Sequence, residues 1–202
     1  MNGPLRTRLR LAISRFVRVV GRLGSSESPW DRVALRVPPT AFGPGSQHQF
    51  DHYFEGESRV TVESIDEMAE WLLACQYVSD RELFKECERW QHPTAFEELR
   101  RGDCEDFALW AWRKMVDAGI EAEFHVGRVR LRDKPPGGGQ HAWVVYRVDG
   151  VAFLFEPAAR SREAMIQSLD EAMDDYVPHF AVDHRLRTFA FALVTSSAQP
   201  FS

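Results

Sequence analysis

Between Gly102 and Gly119 the chain carries Phe107, Ala108, Ala111 and Met115 at helical spacing, and Leu109, Trp112 and Val116 add a second apolar stripe. A helix that is apolar on more than one side has to be central and largely buried, so the remaining chain must be able to surround it. Asp103 supplies an N-cap, Glu105 and Asp106 suit the first turn, and Gly119 stops the run. Cys104 therefore sits at the helix N-terminus. Unpaired backbone N–H groups and the positive dipole end favour a thiolate there, while the flanking carboxylates oppose it.

A chain of 202 residues that is 44% hydrophobic and 12% aromatic can bury one substantial core around such a helix. Residues 59–195 are read as that folded domain. Residues 1–23 hold Arg6, Arg8, Arg10, Arg15, Arg18 and Arg22 with no acid, and Leu9, Ile13, Phe16, Val17 and Val20 fall at helical spacing. A basic amphipathic helix of this kind suits an anionic membrane surface, an acidic partner or the protein's own core; a free tail is the remaining reading. Residues 24–58 form a Gly/Pro/Ser-rich connector expected to wrap the surface, and 196–202 form a C-terminal tail. A net charge of −5 and a pI near 5.8 speak against nucleic acid as a partner. Cys75, Cys87 and Cys104 make no CxxC pair, and Arg15 and Arg18 interrupt the apolar residues near the start. Both features point to free thiols, no export signal and a cytoplasmic setting.

Along the domain, Ser64-x-x-Glu67 resembles a capping box that opens a helix through Ile65, Met68, Ala69, Leu72 and Leu73. A second helical stretch spans Arg81 to Trp90, and Pro93 with Thr94-x-x-Glu97 starts a short third helix. After Gly119 the period changes to alternation over 121–132 with a phase slip at Gly127, followed by a loop at 133–139. His141–Tyr146 and Val151–Glu156 read as two strands joined by a tight turn at Asp149-Gly150. A helix from Ser161 to Asp174 and a strand from Leu186 to Val194 complete the pattern. Cys75 and Cys87 read as small buried hydrophobes, His125 as solvent-facing, and His48 and His52 as loop residues rather than metal ligands.

The hairpin makes His141 and Glu156 cross-strand neighbours, since its turn lies almost midway between them. If that sheet packs on the helix headed by Cys104, a thiol, an imidazole and a carboxylate converge as nucleophile, general base and orienting acid. The Cys104 backbone N–H can serve an oxyanion, with Gln76 or Trp90 as a second donor. A zinc site from the same three residues lacks any local ligand pair.

The segments GDCEDFA, preceded by Trp90-Gln91-His92-Pro93, then HAWVVY and FLFEPA, resemble in order and spacing three motifs of the transglutaminase-like cysteine hydrolase superfamily. The nearest echo is of its bacterial transglutaminase-like cysteine proteinases. This resemblance implies an α+β, papain-like fold in which a cysteine-bearing helix packs on an antiparallel sheet, and an amide or peptide hydrolase acting on a protein or peptide through a thioester. It also implies Cys104, His141 and Glu156 as the triad, with Glu156 where the family usually has aspartate. Some members bind calcium through acids flanking the cysteine, which map here to Asp103 and Glu105. Crosslinking or deamidation by acyl transfer, or a non-catalytic scaffold of the same fold, are the alternatives.

Overall fold

The structure, a computed structural model, describes residues 30–130 and 140–192. Its strands are β1 (Arg32–Leu35), β2 (Gln76–Tyr77), β3 (Arg101–Gly102), β4 (Glu121–Val129), β5 (His141–Val148), β6 (Val151–Phe155), β7 (Ile166–Ser168), β8 (Tyr176–Asp183) and β9 (Thr188–Phe191). Its helices are α1 (Ile65–Leu73), α2 (Asp80–Leu83), α3 (Pro93–Leu99), α4 (Cys104–Asp117), α5 (Arg162–Met165) and α6 (Leu169–Ala172). Among the described residues, seven strands form one antiparallel sheet in the order β1-β9-β8-β4-β5-β6-β7, while β2 and β3 pair in parallel beside it. None of these helices is long and apolar enough to cross a membrane.

The α+β architecture follows from the expected helix. Every residue of α4 from Cys104 to Met115 is buried, and its Trp110, Trp112, Leu109 and Met115 have no exposed surface. One face of the sheet, carrying Ala122, Phe124, Val126, Ala142, Val144 and Tyr146, packs into the same core as α4. The opposite face places Trp143, Val145 and Leu154 against Leu169, Ala172 and Tyr176. The hairpin turn is as expected, with Asp149 at φ 51° and Gly150 at φ 81° joining β5 to β6. The β4–β8 pairing shifts register between Val126 and Gly127, where a Cβ on Gly127 would strike the Pro178 backbone at 2.8 Å.

Four expectations are corrected. The connector is not all loop: β1 is an edge strand of the sheet, and Phe42, Phe50 and Tyr53 are buried in the core, because aromatic side chains gain more from burial than from a polar surface path. The helix at 81–90 is reduced to α2, since the Arg89 N–H is taken by the Asp80 carboxylate and Lys85 turns to φ 62°. The helix at 161–174 is divided into α5 and α6 by β7, which satisfies the open edge of β6. The last strand is the second arm of a hairpin whose first arm, β8, was not anticipated. The 1–23 helix, the 133–139 loop and the 196–202 tail lie outside the described residues.

At the start of α4, the buried Asp106 carboxylate accepts the Gln91 backbone N–H at 2.7 Å, its side-chain amide at 2.5 Å and the Asp103 N–H at 3.3 Å. A Cβ on Gly102 would overlap Asp106 and lie 2.8 Å from the Gln91 amide nitrogen. Gly102→Ala should therefore destabilise the protein by about 2–4 kcal/mol, read as a lower denaturant midpoint with an unchanged m-value.

Candidate active site

Cys104 is the first residue of α4, with Asp103 extended at φ −116° as its N-cap. Its sulfur faces the backbone N–H of Ala142 near the start of β5, so α4 is docked where His141 enters the sheet. The thiol donates to Glu105 Oε2 at 3.1 Å and is 9% exposed. Burial pushes the thiol well above its ordinary pKa, the neighbouring Glu105 and Asp103 carboxylates push it further, and the Ala142 N–H works the other way.

Val144 pairs with Phe155, so Glu156, just past the end of β6, lies across from Trp143 and diagonal to His141. The longer glutamate side chain spans that diagonal: His141 Nε2 and Glu156 Oε2 are 2.7 Å apart. Glu156 Oε1 accepts the Ala158 N–H at 3.2 Å, and Oε2 also accepts the Tyr176 hydroxyl at 2.9 Å. With Nε2 committed to the acid, Nδ1 is the His141 nitrogen left for a second partner. The His141–Glu156 pair thus sits at the open end of the β5–β6 hairpin, one residue along from the Ala142 N–H that meets the Cys104 sulfur.

Three further residues at this corner carry no sequence signal of their own. Tyr77, paired with Gly102 across β2 and β3, sets its hydroxyl toward Cys104. Burial raises its pKa first, and the Cys104, Asp103 and Glu105 groups add to the shift. The Arg160 guanidinium lies 5.7 Å from the centre of its ring. The Trp90 indole N–H, one of the two donors expected for an oxyanion, points to Glu88 at 3.3 Å. Tyr176 comes from β8, whose position no local pattern gives. Asp80 is brought in by α2.

Asp80, Asp103 and Asp106 offer oxygen atoms that all lie within 4.8 Å of one another. Among the described residues, Asp80 Oδ1 and Asp103 Oδ1 are buried without a hydrogen-bond partner. Burial and mutual repulsion raise Asp80 to about 6 and Asp106 to about 8, although the Arg89 and Gln91 donors oppose the shifts. An all-carboxylate donor set with unpaired buried oxygens fits a hard divalent cation. Asp103, one of the two expected calcium ligands, belongs to this set. Glu105 instead turns to the Cys104 sulfur, with burial and Asp103 raising its own pKa well above the ordinary carboxylate value.

Other expectations change. His125 is fully buried rather than solvent-facing: its Nε2 meets Glu123 at 3.0 Å, and its ring packs on Trp30, Trp143 and Phe191. The sheet is covered there on both faces, so alternation does not mark a solvent side. Cys75 is buried as expected, but Cys87 is exposed because the helix meant to bury it ends at Leu83. The His48 and His52 rings lie 4.2 Å apart on the connector, with His52 inside a short 3-10 helix (Phe50–Phe54) rather than a loop.

By sequence, no family model and no curated protein matches this chain. Among solved structures, Legionella pneumophila LapG aligns at 16% identity over 70% of this chain and 72% of its own, with a TM-score of 0.43. Its calcium-bound form aligns at 16% identity over 79% and 80%, with a TM-score of 0.46. Its EGTA-treated form gives 16%, 79% and 77%, with a TM-score of 0.44.

A carboxyl whose folded pKa is raised stabilises the fold while protonated. That contribution is complete below the unfolded value and is lost as pH climbs through about 6 for Asp80 and about 8 for Asp106. In chelator, the melting temperature should therefore fall between about pH 7 and 8.5, a window above the titration of the buried histidines. Asp106→Asn should flatten that fall, because Asp80 has already ionised by pH 7 and Asp106 is the acid still titrating in the window.

Proposed function

We propose that the protein is a cysteine-dependent amide or peptide hydrolase with Cys104 as nucleophile, His141 as general base and acid, and Glu156 as orienting acid. One observation carries this reading: the 2.7 Å bond from His141 Nε2 to Glu156, formed beside the β5 amide that meets the Cys104 sulfur. His141 Nδ1 takes the thiol proton and the sulfur attacks the carbonyl carbon of the substrate. The resulting oxyanion is held by the Cys104 backbone N–H, which has no intrahelical acceptor, and by the Tyr77 hydroxyl. His141 returns the proton to the departing amine, leaving a thioester. Water then gives a proton to His141, adds to the thioester and releases the acid as the thiol is reformed. An amine in place of water would give acyl transfer from the same intermediate.

The acids around Cys104 oppose the first step, because each stabilises the thiol over the thiolate. Asp80, Asp103 and Asp106 are the residues that would hold a divalent cation, with calcium the ion implied by the family resemblance. Such an ion would supply positive charge next to the cysteine. The substrate is taken to be a protein or peptide and the setting the cytoplasm. A second reading, a non-catalytic module of the same fold, is favoured by the buried thiol and its bond to Glu105.

Iodoacetamide labelling near neutral pH separates the two, in a Cys87→Ser background that removes the exposed thiol. Cys104 should react much faster than Cys75 in calcium, more slowly in chelator, and about a hundredfold more slowly after His141→Ala. Equally slow reaction of Cys104 and Cys75 in calcium would refute the enzyme reading.

A further inference from the structure

Tyr176 opens β8, which is separated from β5 by β4, yet its hydroxyl reaches the centre of the proposed triad. It donates at 2.9 Å to Glu156 Oε2, the oxygen that meets His141 Nε2 at 2.7 Å. Its ring packs edge-on against Trp143 with centroids 5.1 Å apart, and the Trp143 indole stacks with the His141 imidazole at 6.3 Å. One side chain therefore touches the acid directly and the base through a single intervening ring.

Glutamate needs such support more than aspartate does. It has an extra rotatable bond, and ordering it costs correspondingly more side-chain entropy. Glu156 also lies past the end of the β6 ladder, where its N–H bonds to the Met165 carbonyl at 2.8 Å rather than to a strand partner. Its Oε1 has the Ala158 N–H, while among the described residues Oε2 has His141 and Tyr176. Among the described residues, loss of the Tyr176 donor would leave Oε2 held by the imidazole it is meant to orient.

We propose that Tyr176 is a positioning residue that fixes the Glu156 carboxylate, and with Trp143 the plane of the His141 ring, so that glutamate can serve as the orienting acid. The inference rests on the proposed function, with Glu156 as the acid. Tyr176→Phe keeps the ring packed on Trp143 and removes only the hydroxyl, which makes it the informative variant.

Two measurements test the role. First, Tyr176→Phe should slow iodoacetamide labelling of Cys104 about tenfold, the effect of one hydrogen bond to a charged group. It should slow it no further in a Glu156→Gln background. Second, in ¹H–¹⁵N NMR spectra the His141 imidazole N–H bonded to Glu156 should be a downfield, slowly exchanging signal in the wild-type protein. In Tyr176→Phe it should move upfield and broaden, while the melting temperature changes little.

An unchanged His141 signal in Tyr176→Phe overturns the proposal, and so does an equal rate loss in both backgrounds. If Cys104 is no more reactive than Cys75 in the wild type, the enzyme reading fails. The NMR arm still decides whether Tyr176 orders the Glu156–His141 pair.

Discussion

A helix buried on nearly every side has to satisfy its charged residues inside the protein, and the way α4 does so dictates much of the fold. At its C-terminal half, Lys114 pairs with Glu97 at 2.8 Å, where both side chains are at most 5% exposed. Glu97 also accepts the Trp110 indole N–H at 3.0 Å, the Ser58 hydroxyl at 2.5 Å and the Arg59 N–H at 2.8 Å. Arg113 donates to the carbonyls of Tyr53, Glu55 and Gly56. These bonds bind the connector to the central helix. Removing one partner of such a pair costs about 3–5 kcal/mol, because the other charge is left buried and alone. The connector is thus a structural element of the domain, not a tether leading to it.

At the other end of α4 the sign of the problem reverses. The helix N-terminus attracts negative charge, and the chain supplies Asp103, Glu105 and Asp106 within four positions, with Asp80 added by α2. Gln91 satisfies Asp106, Arg89 one oxygen of Asp80 and the Asp80 N–H one oxygen of Asp103, but among the described residues Asp80 Oδ1 and Asp103 Oδ1 are left without a donor. Capping alone does not account for them, since one cap fixes a helix start and four acids exceed what the dipole can offset. Holding protons or holding a cation are the two ways to relieve that repulsion. They have opposite consequences for the sulfur: protonated Glu105 leaves the thiol a neutral neighbour, whereas a cation beside Asp103 favours the thiolate.

Most of the central geometry was legible in the sequence because it is local. The double apolar stripe of α4, the Asp103 cap and the Asp149-Gly150 turn each require only a few neighbouring residues, and all three are found as expected. The parts that were not legible depend on tertiary pairing. Nothing near Tyr176 marks it as a partner of Glu156, because β8 reaches the site only by pairing with β4. His125 alternates with charged neighbours as a surface strand residue would, yet Glu123 is held at about 2: burial opposes this, but His125 and Arg32 outweigh it. A charged residue in the alternation was therefore an internal counter-ion rather than a sign of solvent. The helix expected at 81–90 fails for the same kind of reason, as its amide is captured by a buried carboxylate nine residues back.

The hairpin register explains why glutamate suits this site. A residue directly opposite His141 would lie two positions beyond Glu156, in the segment that already turns after Pro157. A carboxylate that meets His141 comes from the diagonal position, and a shorter side chain would have to move the backbone to reach Nε2. Glutamate covers the diagonal from a strand end that stays in register, at the cost of added torsional freedom. The Ala158 N–H and the Tyr176 hydroxyl remove that freedom from two directions. Chain length, register and the two donors are thus linked: a different side chain at position 156 changes what β8 must supply to hold a carboxylate beside His141.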